Sequence, residues 1–130
     1  MTIQIEAIDH LVLTVHDIEA SCEFYSKVLG MEVITFGNNR KALMFGRQKI
    51  NLHQYRRELE PKAKHPTSGS ADICLISSQP IDSIINDLNK HEIPIIEGPV
   101  TRTGAMGEII SVYIRDPDGN LVEVCNYAGL

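Results

Sequence analysis

Ionisable side chains interrupt three of the apolar, strand-like segments of this 130-residue chain. They are His10 in IDHLVLTV, Asp72 in ADICLIS and Glu123 in LVEV. Because side chains alternate across a strand, a polar group with the parity of the apolar face must be satisfied internally or do chemistry. A carboxylate in such a strand is costly unless it is paired or bound to a cation, so Glu123 requires a positive partner.

Asn51 and His53 supply two further candidates in the last strand of the first half of the chain, where their spacing of two places them on one face. Imidazole and carboxylate groups that converge from different strands offer ligands for a divalent ion such as Fe(II), Mn(II), Co(II) or Ni(II), whereas a thiolate-rich zinc site is not indicated. The alternative is structural. His10 would then be a core histidine, His53 a residue near a strand end, and Asp72 a cap on the preceding loop.

Two copies of one βαβββ pattern position these residues. The first copy has strands at 8–15, 32–36, 41–45 and 49–55 with a helix at 18–29; the second has strands at 71–77, 93–97, 108–115 and 121–127 with a helix from 80 to about 91. A polar stretch, 56–70, joins them, and 98–107 is predicted to be a loop. A repeat that cannot bury its own sheet face must stack on its partner. We therefore expect one α+β domain, residues 1–130, with modules at about 6–57 and 70–128.

The length and charge of the chain favour a single domain and argue against a nucleic-acid-binding or membrane protein. The chain has the size of one domain, and its formal net charge of −5 argues against nucleic acid as a partner. No apolar run is long enough to span a bilayer and no signal peptide is evident, so a cytoplasmic protein without a membrane partner is expected. Three cysteines without C-x-x-C spacing suit a reducing compartment, and Cys22, Cys74 and Cys125 are each predicted to be small buried residues.

Three motifs resemble one known family. The segments IDHLVLTV, FYSKVLGMEV and DPDGNLVEV are similar to those of the vicinal oxygen chelate superfamily, the glyoxalase/bleomycin-resistance/dioxygenase proteins, over about 8–127. KINLH and RTGAMG also resemble the glyoxalase-domain-containing protein 5 group and its bacterial relatives. The resemblance implies two βαβββ modules forming an open, curved eight-stranded cup around one divalent ion (Ni, Co, Zn, Mn or Fe(II)), a small-molecule substrate, and a homodimer.

Carried over by position, the resemblance implies His10 as the first metal ligand and Glu123 as the last. Asp72 stands where the family commonly has histidine, and Asn51 or His53 falls where it often has Glu or Gln. Relative to the family pattern, the carboxylate of Asp72 in place of histidine adds a negative charge to the ligand set, and the imidazole of His53 in place of a carboxylate removes one. That compensation favours His53 over Asn51 as a ligand.

The resemblance also implies how the site would work. The metal would act as a Lewis acid on two neighbouring substrate oxygens, and Glu123 would serve as general base. Ser111 and Tyr113 share the parity of Glu123 across a hairpin and resemble substrate-contacting positions of the fosfomycin-resistance thiol transferases; ordinary cross-strand packing is the alternative.

The TRTGAMG segment adds a candidate for anion binding. Arg102 and Thr103 would bind a substrate anion, and the flexible positions Gly104 and Gly107 would allow this loop to act as a mobile lid. The alternative is a solvated loop.

Three functions remain open. The first is a metal-dependent lyase or isomerase of the glyoxalase I type, acting on a small oxygenated substrate or its thiol adduct. The second is an extradiol-type Fe(II) dioxygenase, against which Asp72 argues. The third is a non-catalytic binding protein of the antibiotic-binding kind.

Overall fold

The computed structural model describes residues 1–128, and it confirms an α+β chain of two βαβββ modules. One compact unit comprises Met1–Thr67 and a second begins at Ser68, so the boundary lies inside the predicted linker. The elements in chain order are β1 (His10–Val15), α1 (Ile18–Lys27), β2 (Glu32–Phe36), β3 (Arg40–Phe45), β4 (Gln48–Gln54), β5 (Asp72–Ile76), α2 (Ile81–Lys90), β6 (Glu97–Gly104), β7 (Gly107–Arg115) and β8 (Leu121–Tyr127).

The eight strands are divided between two four-stranded sheets. The strand order is β1-β4-β3-β2 in the first unit and β5-β8-β7-β6 in the second. In each unit the first strand pairs in parallel with the last, and the other pairs are antiparallel. The last strand of each unit is therefore internal to its sheet, with neighbours on both sides.

In the first unit, α1 covers the apolar face of the sheet. Its first turn is capped by Asp17, whose Oδ1 accepts a hydrogen bond from the Ala20 amide at 3.1 Å. The helix contacts β2, β3 and β4. Its Tyr25 is completely buried, and so are the sheet residues Leu43 and Ile50. Because side chains alternate, residues of the other parity, including Asn51, project from the opposite face.

The second unit repeats this arrangement. Helix α2 packs on β7 and buries Ile84 and Leu88. Val112 and Val122, which are fully buried, belong to the same apolar layer. Residues of the other parity, including Glu123, lie on the face away from this layer. None of the helices within residues 1–128 is long and apolar enough to cross a membrane.

A polar turn holds the strand that carries Glu123. Asn120 Nδ2 donates to Asp116 Oδ2 at 2.8 Å, and the backbone amides of Asp118 and Asn120 both donate to Asp116 Oδ1 at 2.9 Å. Asn120 Oδ1 in turn accepts from the Ala71 amide at 2.9 Å, next to the start of β5. The DPDGN motif thus fixes the β7–β8 turn and ties it to β5, so it has a structural role.

One segment differs from the sequence prediction. The predicted strand 93–97 is irregular up to residue 96, and the predicted loop 98–107 is instead β6 and a tight turn. Gly98, Pro99 and Gly104 indicated a loop, but Gly98 adopts φ 112° and the pairing register shifts between Glu97 and Val100. This bulge allows the strand to continue. Arg102 pairs with Ile109, and Thr103 with Glu108, so the predicted mobile lid is wrong.

Gly98→Ala is expected to destabilise the protein strongly, because a Cβ at this position would lie 2.5 Å from Ser111 O and 2.9 Å from Val112 Cα. The combined strain and overlap should lower the free energy of unfolding by about 2–4 kcal/mol, measured by urea denaturation. Gly46→Ala is the control, since Gly46 also has positive φ (53°) but nothing within 4 Å. It should cost about 1–2 kcal/mol. Equal losses in the two variants would contradict the role of close packing at Gly98.

Candidate functional site

The face of the first sheet that lies opposite α1, called the polar face below, carries the predicted site residues His10, Asn51 and His53. The register pairs His10 with Lys49, Val12 with Asn51 and Thr14 with His53, so these side chains share one face. His10 is exposed, and its Nδ1 lies 2.8 Å from Asp9 Oδ2. When Nδ1 carries the proton, it donates a hydrogen bond to Asp9 Oδ2 and Nε2 presents its lone pair, which is the usual arrangement of a metal-binding histidine.

His53 is buried on this face, with 7% of its surface exposed. Burial lowers the pKa of the imidazole below its ordinary value of 6.5, and nearby Arg40 lowers it further, while Glu58 acts in the opposite direction. A lowered pKa keeps the ring neutral at physiological pH. A neutral imidazole is the form that can ligate a metal or act as a proton acceptor.

Asn51 carries an unsatisfied buried oxygen. The residue is 5% exposed, and its Oδ1 has no hydrogen-bond partner among residues 1–128. Such an atom costs about 1–3 kcal/mol, and a bound donor or cation would offset this cost. The structure therefore gives both Asn51 and His53 properties of ligand-binding residues and does not select one of them.

Glu123 lies near the middle of the polar face of the second sheet. Its strand neighbours in register are Cys74 on β5 and Tyr113 on β7. Ser111, which is fully buried, donates through Oγ to Glu123 Oε2 at 2.5 Å. The carboxylate is half-buried and is held in a fixed orientation by this hydrogen bond.

Tyr113 links Glu123 to a charged pair on β6. Arg102 Nε donates to the Tyr113 hydroxyl at 3.1 Å, and Arg102 Nη2 lies 2.6 Å from Glu97 Oε2. Burial raises the pKa of Tyr113, Glu123 raises it further, and Arg102 opposes both effects. The phenol therefore stays protonated and can donate a hydrogen bond.

The structure separates the two residues predicted to bind an anion. Arg102 has the parity of the polar face, but its guanidinium is already paired with Glu97 and Tyr113. Thr103 is exposed and has the opposite parity, so it does not accompany Arg102. The anion-binding prediction for Arg102 and Thr103 as a pair is therefore not supported by their placement in β6.

Cys74 is a neighbour of Glu123 that the sequence analysis missed. It is exposed rather than buried, contrary to the prediction, and its Sγ lies 3.6 Å from Cys125 Sγ. Partial burial of the thiol, together with contacts to Cys125 and Glu123, raises the pKa of Cys74 to about 12. Asp72 is also exposed and shares this face. The spacing of two between Asp72 and Cys74 was the available signal for their common face.

The predicted metal ligands are divided between the units. His10 and His53 belong to the first, Asp72 and Glu123 to the second. Within residues 1–128, no three His, Cys, Asp or Glu side chains lie together in a way that could hold a metal ion. The residue types, the exposed imidazole of His10 and the Asn51 oxygen, which has no hydrogen-bond partner among the described residues, nevertheless suit a divalent cation. The metal-ligand set stays a prediction.

Comparison with known proteins establishes the family. Residues 7–124 match the family described as the Glyoxalase/Bleomycin resistance protein/Dioxygenase superfamily. The chain belongs to this superfamily, as the sequence motifs predicted. The narrower resemblance to the glyoxalase-domain-containing protein 5 group stays a prediction.

Two close relatives cover nearly the whole chain. Virulence protein STM3117 of Salmonella typhimurium is 59% identical over 123 residues, which is 95% of this chain and 85% of that protein. Its crystal structure matches with a TM-score of 0.96 at 58% identity, covering 97% of this chain and 100% of the other. Glyoxalase domain-containing protein RDO1 of Mycosarcoma maydis is 50% identical over 125 residues, or 96% of this chain and 70% of that protein.

More distant relatives show that the fold serves different functions. Lactoylglutathione lyase from Agrobacterium tumefaciens matches with a TM-score of 0.73 at 28% identity, over 95% of each chain. Metallothiol transferase FosB of Staphylococcus epidermidis is 24% identical over 121 residues, 93% of this chain and 82% of that protein. TnmS3, an antibiotic binding protein from Streptomyces sp. CB03234, has a TM-score of 0.76 at 16% identity over 98% and 100% of the chains, which shows the fold alone.

His53 should make stability depend on pH. Because its pKa is lowered on folding, the unfolded state binds more protons as the pH falls below 6.5, and the free energy of unfolding should decrease. His53→Gln should reduce this decrease, as measured by urea denaturation at pH 8.0 and at lower pH. His65→Gln, at an exposed position, controls for the loss of an imidazole as such. Equal pH dependence in wild type and His53→Gln would refute the assignment.

Cys74 should react slowly with alkylating reagents despite its exposure. A pKa of about 12 leaves very little thiolate at pH 7.5, so its rate with iodoacetamide should be at least about tenfold below that of free cysteine. Glu123→Gln should increase the rate, because it removes a negative charge beside the sulfur. Glu92→Gln, an exposed carboxylate on the loop after α2, is the control and should leave the rate unchanged. Peptide mass spectrometry resolves Cys74 from the other two cysteines.

Proposed function

We propose that this protein is a metal-dependent enzyme of the superfamily, a lyase or isomerase of the glyoxalase I kind that moves a proton on a small oxygenated substrate or its thiol adduct. The observation that carries the proposal is the carboxylate of Glu123, oriented by Ser111 at 2.5 Å on the polar face of its sheet. A general base must be held in one orientation to accept a proton from a bound substrate.

The proposed chemistry uses the groups around this carboxylate. Glu123 would accept the proton as a C–H bond next to a carbonyl breaks, and would return it to the adjacent carbon. Tyr113, kept protonated by its raised pKa, would donate a hydrogen bond to the substrate oxygen that gains negative charge. Arg102 holds the Tyr113 hydroxyl at 3.1 Å and is a positioning residue.

A divalent ion is part of this proposal. His10 and Glu123 would hold it, with His53 and Asp72 as the further ligands. When bound, the ion would supply Lewis-acid stabilisation of the substrate oxygens. Asp9 would orient the imidazole of His10, and the lowered pKa of His53 would keep that ring available as a ligand.

The comparisons support the substrate class. A lactoylglutathione lyase and a metallothiol transferase are both relatives of the chain, and both names describe thiol chemistry on small molecules. We therefore propose a small molecule or its thiol adduct as substrate. From the sequence and its resemblance to the family, we also propose a homodimer located in the cytoplasm.

A second candidate function is binding of a small molecule without catalysis. The observation in its favour is the buried Oδ1 of Asn51, which has no hydrogen-bond partner among residues 1–128 and would accept a hydrogen bond from a bound ligand. The antibiotic binding protein TnmS3 shares the fold. In that case the polar face of each sheet would recognise the ligand, and Glu123 would be a hydrogen-bond acceptor.

Metal analysis decides between the two functions. Protein purified without added metal should contain about one divalent ion per chain. His10→Ala should weaken its affinity by at least about 100-fold, because removing a ligand costs more than the roughly 10–100-fold typical of losing a ligand's hydrogen-bond partner. Asp9→Asn should weaken it less, because the amide oxygen can still accept the hydrogen bond from His10 Nδ1 and only the negative charge of the acceptor is removed. Glu6→Gln is the matched control on the exposed N-terminal segment. Absence of any ion, with no rise in melting temperature on adding Ni, Co, Zn, Mn or Fe(II), would reject the enzyme and favour the binding protein.

Activity tests the role of Glu123. In a screen with methylglyoxal plus glutathione and with other thiol adducts, Glu123→Gln should reduce kcat by at least about 100-fold. Ser111→Ala should reduce kcat with little change in KM, since the hydroxyl orients the base and does not bind substrate. Full activity of Glu123→Gln with a substrate turned over by the wild type would contradict the proposal.

A further inference from the structure

Two cations on the polar face of the first sheet share one aromatic ring. Lys49 Nζ lies 4.0 Å and Arg40 Cζ 4.7 Å from the centroid of the Phe36 ring. All three residues are half-buried. Each cation–π contact is worth about 0.5–1 kcal/mol at a partly exposed position, but two like charges near one ring also repel each other.

Neither cation has an acidic partner. Within residues 1–128, no carboxylate oxygen lies within 4.0 Å of the Arg40 guanidinium or the Lys49 ammonium. Arg102 differs, since Glu97 neutralises it at 2.6 Å. Arg40 and Lys49 are therefore two neighbouring cations without an ion-pair partner among residues 1–128, on a face that also bears predicted site residues.

Asn51 supplies an independent sign of a ligand on the same face. Its Oδ1 is buried and unpartnered, and Ala42 is its register partner on β3. Lys49 lies two residues before Asn51 on β4, and Arg40 two before Ala42 on β3, so all of these side chains have the same parity. A hydrogen-bond donor would satisfy this carbonyl oxygen, and an anion held by the two cations can supply one only if it carries a hydroxyl.

We propose that this face binds a small hydroxylated oxyanion, whose anionic oxygens bind Arg40 and Lys49 and whose hydroxyl donates to Asn51 Oδ1. A 2-hydroxycarboxylate and a hydrogen phosphate group both have this chemistry. The inference rests on the proposed function, because it names the class of substrate. It assigns anion binding to Arg40 and Lys49 in place of Arg102 and Thr103.

The test is a titration of the 15N-labelled full chain with inorganic phosphate, lactate and acetate, at constant ionic strength and without added metal. Saturable shifts should appear on β3 and β4. Arg40→Gln combined with Lys49→Gln should weaken binding at least about tenfold. Lys41→Gln combined with Arg47→Gln removes the same charge from the opposite face and the β3–β4 turn, and should change the affinity less than about twofold.

The hydroxyl is tested by comparing lactate with acetate. Wild type should prefer lactate, and Asn51→Leu should abolish that preference. Tighter phosphate binding would assign a phosphate group, and tighter lactate binding a hydroxycarboxylate. No saturable binding, or an equal loss in the two double variants, would overturn the proposal. If the first double variant is unfolded, Lys49→Gln alone should still weaken binding several-fold. The chain is freed of divalent ions with a chelator before the titration, so this result is independent of the metal analysis.

Discussion

Alternation of side chains across two four-stranded sheets is the constraint on which the rest of this structure depends. In each unit a single helix packs on the sheet and buries the apolar parity, with Tyr25 in the first unit and Leu88 in the second as its main anchors. Polar side chains of the other parity must then lie on the opposite face. The candidate site residues lie there because the cores occupy the other side.

The last strand of each unit has the greatest influence on the chemistry. Being internal, β4 and β8 place Asn51, His53 and Glu123 between neighbours on both sides. Those neighbours set their properties: burial and Arg40 lower the pKa of His53, while Ser111 fixes the carboxylate of Glu123. The hydrogen bonds of the DPDGN turn fix the position of the first residues of β8.

The two polar faces are built differently. In the second unit Glu97, Arg102 and Tyr113 form a connected network beside Glu123, which is consistent with its proposed role as a proton acceptor. In the first unit the pKa of His53 is lowered, and among residues 1–128 the Asn51 oxygen has no hydrogen-bond partner and Arg40 and Lys49 have no ion-pair partner. Its groups leave interactions for a ligand to complete. A proton-transfer role for the second and a ligand-anchoring role for the first are consistent with this difference.

The repeated βαβββ order, the superfamily and the parity of His10, Asn51, His53 and Glu123 could be predicted from the sequence, because strand periodicity and turn residues are local properties. Other features depend on contacts between strands that are distant in the chain. Strand β6 forms because β7 supplies hydrogen-bond partners across a glycine bulge, so composition alone indicated a loop and a lid. The exposure of Cys74, the pairing of Arg102 with Glu97 and the isolation of Asn51 Oδ1 depend on which side chains neighbouring strands bring alongside, and no single segment encodes that information.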